Sequence, residues 1–347
     1  MKKTTMILMV FALTLGLSLP LTAAGTEIIG AGATFPLPVY TKMFSAYNKE
    51  FGVKVNYQGV GSGTGIKQLL KKVTEFGGTD AYMSDKDIAA APAKIVHIPT
   101  CLGAVVVTYN LPGNPTIKLS QEVLADIFLA NITKWNDPAI AKLNPKANLP
   151  KTDILIVHRS DKSGTTKNFT GYLTQIDKEW ADEVGSGKTV EWPAGLGAPK
   201  NAGVAGLIKQ TPGSIGYVEL AYALENDMPV AALENKSGKF ILPTVKSTSL
   251  AIPSDIPADT RTYISDTAAP DGYPIAALTW IILYKEQNYK GRSFEQAKAL
   301  LDLLWWVSHD GQVHTTALNY APLSDDMVKK VEAILKSVTY GGKPILK

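Results

Sequence analysis

An α/β fold with largely parallel sheets is what this sequence predicts, and three observations carry the prediction. Short β-type runs alternate with stretches of helical period along most of the chain. Several of the strand-to-helix junctions are Gly-rich turns that open directly into a helix. At 347 residues the chain exceeds what a single core usually fills, so two domains are expected. Apolar residues make up 45% and charged residues 19%, which is the balance of a globular protein and not of a disordered one.

The first residues stand apart from that pattern. Lys2 and Lys3 precede the apolar run Met6 to Leu19, and the small residues Thr22, Ala23 and Ala24 follow. These are the three regions of a secretory signal peptide over residues 1–24, which predicts an exported chain. No cysteine stands at the cleavage point, so a lipid anchor is not expected, and no later stretch is long and apolar enough to span a bilayer. Cleavage removes two lysines and no acid, taking the formal charge from +4 to +2, a balance that gives no reason to expect nucleic acid. Cys101 is the one cysteine; it cannot form an internal disulfide and reads as a small buried apolar residue.

After the leader, Glu27 to Gly30 reads as a strand, then a Gly-rich turn leads to Thr34, a candidate N-cap, and Pro36 in the first helical turn. Tyr40, Phe44, Tyr47 and Phe51 mark that helix's apolar stripe. Lys54 to Gln58 is the next strand, and Gly59 to Gly65 is a second Gly-rich turn in which Ser62 is the natural N-cap of a helix carrying Ile66, Leu69, Leu70 and Val73. Asp80 follows in the Gly-rich connection Phe76 to Asp85, where an acid commonly bonds its own backbone. Leu102 to Tyr109 reads as a fully buried strand. Ser120 caps a helix with Val123, Leu124, Ile127 and Phe128 inward, and Asp137-Pro138 opens a short one. Trp192 to Gly197 reads as loop, Val204 to Ile208 as helix, and Ser214 to Glu219 as strand. Residues 243–272 read as loop with little regular structure, Ile275 to Tyr284 as a buried strand, and two helices close the chain.

One stretch between these elements carries more chemistry than the others: His158-Arg159-Ser160-Asp161-Lys162-Ser163-Gly164-Thr165. The β-run Ile154 to Val157 leads into it, and Phe169, Leu173 and Ile176 follow at helical spacing. Ser163, Gly164 and Thr165 therefore lie at a helix start, where free N–H groups and the positive dipole end favour an anion. Arg159 adds a planar fork of donors suited to phosphate or carboxylate. Asp161 is placed either to hold that guanidinium or to cap the helix. By itself the segment also fits a loop in which Arg159 pairs with Asp161 and Ser163 is only an N-cap. The balance tips because three such junctions occur, at Thr34-Phe35, at Ser62 to Gly65 and at Ser163 to Thr165, and helix starts converge on ligands in open α/β sheets.

Four motifs, Gly30-Ala31-Gly32-Ala33-Thr34-Phe35-Pro36, Tyr57-Gln58-Gly59-Val60-Gly61-Ser62-Gly63, Phe76-Gly77-Gly78-Thr79-Asp80 and Arg159-Ser160-Asp161-Lys162-Ser163-Gly164-Thr165, resemble the ligand motifs of the periplasmic phosphate-binding proteins. That family supplies the solute receptors of high-affinity ABC phosphate transporters. The likeness runs in order along the mature chain, through Trp192-Pro193, Pro212 to Glu219 and Tyr320 to Leu323. It implies a two-lobed periplasmic-binding-protein fold, each lobe a central mixed sheet flanked by helices, with a hinge between them. The lobes would be residues 25–101 plus 267–347, and 102–266. It implies that Thr34, Phe35, Ser62, Asp80, Arg159, Ser163, Gly164 and Thr165 contact one inorganic phosphate, Phe35 and Gly164 through backbone N–H. It further implies a monomer with no cofactor, whose partner is the membrane permease of an ABC transporter. The chain departs from the family pattern where Gly63-Thr64 replaces a common Ser-Gly, Lys162 a common glycine, and Tyr82-Met83 a common Pro-Leu.

Rival readings are a secreted phosphatase or serine hydrolase using Ser163, a receptor for another oxyanion such as sulfate or molybdate, and an adhesive protein. Hydrolysis needs a base or metal beside the nucleophile, and His97, His158, His309 and His314 lack metal-ligand spacing. His158 adjoins the motif but in a strand faces away from Arg159. No catalytic residue and no metal site is therefore expected.

Overall fold

The computed structural model describes residues 27–347; the signal-peptide reading of residues 1–24 lies outside the described residues. Nine strands join in one sheet. In chain order they are β1 (Glu27–Gly32), β2 (Lys54–Gly59), β3 (Phe76–Thr79), β4 (Ile95–Tyr109), β5 (Leu155–Arg159), β6 (Leu196–Ala198), β7 (Ser214–Glu219), β8 (Ile264–Ser265) and β9 (Ile275–Tyr284). Across the sheet the order is β2-β1-β3-β9-β4-β7-β5-β6, with β8 paired to the start of β9.

The sheet is mixed, more so than strand–helix alternation alone suggests. β2, β1 and β3 run parallel, as do β7, β5 and β6, but β9 and β4 between these triplets run antiparallel to their neighbours. β4 joins the two halves. Its residues Ile95 to Ala104 pair with β9, and Val105 to Tyr109 pair with β7. All of β4 and all of β9 are buried, so both lack the in–out alternation of a half-exposed strand. The strand starts seven residues earlier than the apolar run from Leu102, because His97, Pro99 and Thr100 interrupt the run. Pro99 is accommodated where the register shifts opposite Thr279 and Trp280, at a bulge that does not need its missing N–H.

Helices α1 (Leu37–Phe51), α2 (Ser62–Leu70), α5 (Phe294–Ser308) and α6 (Asp325–Lys336) cover the half built on β1, β2, β3 and β9, while α3 (Gly164–Ile176) and α4 (Lys200–Gln210) cover the other. The stripe of α1 is Val39, Tyr40, Met43, Phe44 and Tyr47; Phe51 is exposed, since Gly52 in the left-handed region ends the helix there. In α5 it is Trp306 that enters the core and Trp305 that stays at its edge. Residues 243–272 hold more order than their composition suggests. Thr244 and Ser247 form a capping box on the helix Val245–Leu250, and β8 lies in the same stretch. Cys101 is a free buried thiol whose pKa is raised by burial.

Candidate functional site

The turns after β1, β2, β3 and β5 bring the eight predicted residues into one buried cluster. Thr34, Phe35, Ser62, Asp80, Arg159, Ser163 and Thr165 are each at most 4% exposed, and Gly164 is buried with them. Ligand chemistry at this depth needs every polar group answered, and the cluster's hydrogen bonds show how that is done.

Arg159, the last residue of β5, faces inward, while His158 points to the opposite face and stacks on Trp192 at 4.8 Å. The guanidinium forms a two-pronged bond to Asp161, Nε to Oδ1 and Nη2 to Oδ2, both 2.7 Å, and Nη1 reaches Thr165 Oγ1 at 3.4 Å. Asp161 therefore holds the guanidinium, and the cap is Ser163, whose Oγ accepts from Thr166 N at 3.1 Å. Burial would raise the Asp161 pKa, but the bonds from Arg159 and from Lys200 N outweigh it and keep the carboxyl below its ordinary value.

Ser62 behaves differently from its expected role. The α2 N-cap is Gly61, held at φ +89° in the region glycine favours, and Ser62 is already the first helical residue. Its hydroxyl is free of capping duty and accepts from Gly164 N at 3.2 Å and Asp80 N at 3.4 Å. Thr34 likewise caps nothing; Pro36 is the N-cap of α1, and the Thr34 hydroxyl is met by Asn201. The approach across the cluster is so close that a Cβ on Gly164 would lie 2.4 Å from Asp80 Oδ2 and 2.7 Å from Ser62 Oγ.

Asp80 is an acid in this cluster that pairs with no arginine or lysine by a hydrogen bond among the described residues. Thr279 Oγ1 on β9 and Ser62 Oγ donate to its two oxygens, each at 3.4 Å, and Asn168 Nδ2 binds its carbonyl at 2.6 Å. Burial pushes its pKa from 3.8 up to about 7, against the lowering pull of Arg159, Ser62 and Thr279. Half-buried Lys188 is a second cation nearby; burial lowers its pKa, and Asp87 and Asp80 partly offset that.

Phe35 is fixed from behind. The Tyr320 hydroxyl lies 2.7 Å from Phe35 O and 2.8 Å from Glu219 Oε2. The tyrosine has one hydroxyl proton to share between these two acceptors. Burial pushes the Glu219 pKa well above the carboxylate range, in keeping with a neutral acid.

Residues outside the predicted set complete the cluster: Asn168 and Asn201, which tie the two walls together, and Tyr222, whose hydroxyl donates to Thr34 O at 2.6 Å. Asn201 follows a fourth strand-to-helix junction, β6 into α4. With three residues at the sheet edge, β6 reads as loop from sequence, and a strand call there would have exposed it.

Fold and geometry together define the class. Residues 20–308 match the family described as the PBP superfamily domain. Among solved structures, a high-affinity periplasmic phosphate-binding protein bound with phosphate superposes with a TM-score of 0.74 at 21% identity, over 91% of this chain and 97% of that one. The phosphate-binding protein PstS of Pasteurella multocida is 41% identical over 91% of this chain and 92% of its own length. That of Methanocaldococcus jannaschii is 42% identical over 86% and 82%. The chain belongs to the PstS family of phosphate-binding proteins within that superfamily.

Proposed function

We propose that this protein is the solute receptor of an ABC phosphate transporter: two lobes close on one inorganic phosphate, which is then handed to the membrane permease. The observation that carries this reading is the pairing of one buried guanidinium, Arg159, with one buried carboxyl, Asp80, inside a ring of hydroxyls and helix-start N–H groups. A bare tetrahedral anion would need donors alone. An acid among them suits an anion that itself carries a proton, as monobasic and dibasic phosphate do and sulfate does not.

The eight contact residues are those expected, Thr34, Phe35, Ser62, Asp80, Arg159, Ser163, Gly164 and Thr165. The lobes are residues 25–101 plus 267–347, and 102–266. The change of partner along β4, between Ala104 and Val105, supports a crossing within a few residues of the boundary at 101–102. The chain works as an exported monomer in the periplasm, released from its signal peptide and without a lipid anchor. A binding role, not hydrolysis, is favoured by Ser163: its hydroxyl caps α3, and no histidine or carboxylate is bonded to it among the described residues.

Calorimetric titration with phosphate, arsenate and sulfate tests the reading. Tight one-to-one uptake of phosphate, much weaker uptake of sulfate, and no phosphate release from a generic ester are the expected results. Equal affinity for sulfate, or turnover of the ester, would overturn it.

A further inference from the structure

Asn201 is fully buried and touches hydroxyls from both sides of the site. Its side-chain nitrogen donates to Thr34 Oγ1 at 2.9 Å and to Thr165 Oγ1 at 3.3 Å, which uses both amide protons. Its oxygen accepts from Glu219 N at 3.1 Å. That last bond fixes the amide orientation, because a flipped amide would set its NH2 against a backbone N–H and leave two donors facing each other.

The consequence is a definite direction for two hydroxyl protons. Thr34 Oγ1 accepts from the Asn201 side chain and also from Asn201 N at 3.3 Å. Thr165 Oγ1 accepts from Asn201 and from Arg159 Nη1. A hydroxyl oxygen has two lone pairs and one proton, so in each threonine both lone pairs are taken and the proton must go elsewhere. No acceptor for either proton is found among the described residues, so each is available to a bound anion. The backbone supports this arrangement at a cost: Lys200, the residue before, sits at φ +65°, where a lysine is rarely found, and so aims its own N–H at Asp161 and that of Asn201 at Thr34.

We propose that Asn201 is a positioning residue that turns the Thr34 and Thr165 hydroxyls into obligate donors toward the bound anion and ties the two walls together once they have closed. This rests on the phosphate reading given above. Because the Asn201 to Thr34 bonds exist only across the closed site, their loss falls on the dissociation rate and spares the association rate.

The test compares the parent protein with Asn201→Ala and Asn201→Asp, using inorganic phosphate, stopped-flow rates and the unfolding temperature of each protein without ligand. Asn201→Ala should raise the dissociation rate about tenfold and leave the association rate within about twofold. Asn201→Asp keeps the size of the side chain but replaces the donor with an acceptor that claims both threonine protons, so affinity should fall about a thousandfold. A role in packing alone gives the reverse order, with the isosteric Asp milder than Ala. An Asp variant that binds as well as the Ala variant overturns the proposal. Should Asn201→Asp fail to fold, Asn201→Ala decides alone, and a dissociation rate equal to the parent's overturns it. A parent that takes up no phosphate overturns the functional reading and this inference with it, whereas a parent that binds beside indifferent variants overturns only this inference.

Discussion

Ser62-Gly63-Thr64 and Ser163-Gly164-Thr165 are the same tripeptide at the same kind of junction, yet the two serines do different work. Ser163 is an N-cap in extended conformation, its hydroxyl taken by Thr166 N. Ser62 is one residue further into its helix, because Gly61 at φ +89° makes the entry, and its hydroxyl reaches across to Gly164 N. A shift of one residue in where the helix begins thus converts a local cap into a contact between walls. Sequence shows the tripeptide and not the phase, which is set by the residue before it.

Four experiments break or sharpen the comparison, and the largest effect is expected where the Ser163 wall carries its charge. Arg159→Ala removes the cation and leaves the half-buried Asp161 carboxylate without its guanidinium partner, so phosphate affinity should fall about a thousandfold in calorimetry. Arg159→Lys should fall between that and the parent, because a point charge cannot span both Asp161 and an anion. Arg159→Ala binding as tightly as the parent would dissolve the assignment of that wall.

On the Ser62 wall the corresponding charged residue is Asp80, and Asp80→Asn should cut discrimination between phosphate and sulfate by about a hundredfold while phosphate binding falls less. The parent's discrimination should also depend on pH. With its pKa near 7, Asp80 gains a proton as pH falls and can then donate to sulfate. Competition binding at about pH 8 and about pH 5.5 should therefore show the preference shrinking in acid for the parent and staying flat for Asp80→Asn. The same raised pKa makes this group's contribution to stability greatest below the ordinary 3.8 and lost as pH rises through about 7, without ligand. A preference independent of pH would exclude Asp80 as the discriminating group.

The two serines should separate cleanly. Ser62→Ala should weaken phosphate binding about tenfold with the ligand-free unfolding temperature unchanged. Ser163→Ala should weaken binding and also destabilise the ligand-free protein by about 1 kcal/mol, the worth of an N-cap. Equal unfolding temperatures for both variants would erase the distinction drawn here.

The smallest effect concerns the chain's departures from its family. Gly63 and Lys162 face each other: Gly63 N donates to Lys162 O at 3.0 Å, and a Cβ on Gly63 would lie 2.5 Å from Lys162 Cβ. A side chain at position 63 and that of Lys162 would therefore compete for the same space. Gly63→Ser alone should weaken phosphate binding a few-fold, Gly63→Ser with Lys162→Gly should restore it, and the coupling should be about 0.5–1 kcal/mol. Additive losses would mean the two positions are not coupled.

What the sequence revealed and what it hid follow from the same physics. The clustering of the eight proposed contact residues was legible because glycines, hydroxyls and caps gather at strand-to-helix junctions. Asn201 was not, because the strand before its helix is three residues long and an edge strand of that size leaves no periodicity. The start of β4 was hidden by His97, Pro99 and Thr100, although His97 is buried and neutral, its Nε2 accepting from Met83 N at 3.1 Å. Burial pushes its pKa down to about 3. The mixed direction of the sheet depends on β9, and nothing in an apolar run states which way its neighbours point.

β9 has a further consequence, for the order in which the protein can be made. It lies between β3 and β4, and its Thr279 holds Asp80. A chain appearing N-terminus first would have β3 and β4, which is buried along its whole length in the finished sheet, waiting with an open edge on each until residues 275–284 arrive. Pairings separated by so much sequence form slowly and leave sticky intermediates. All eight proposed contact residues lie before residue 166, so a chain ending short of Ile275 would contain every one of them and have no wall on which to assemble the first half of the site. The receptor acquires its ligand chemistry only after nearly four-fifths of its length has been supplied.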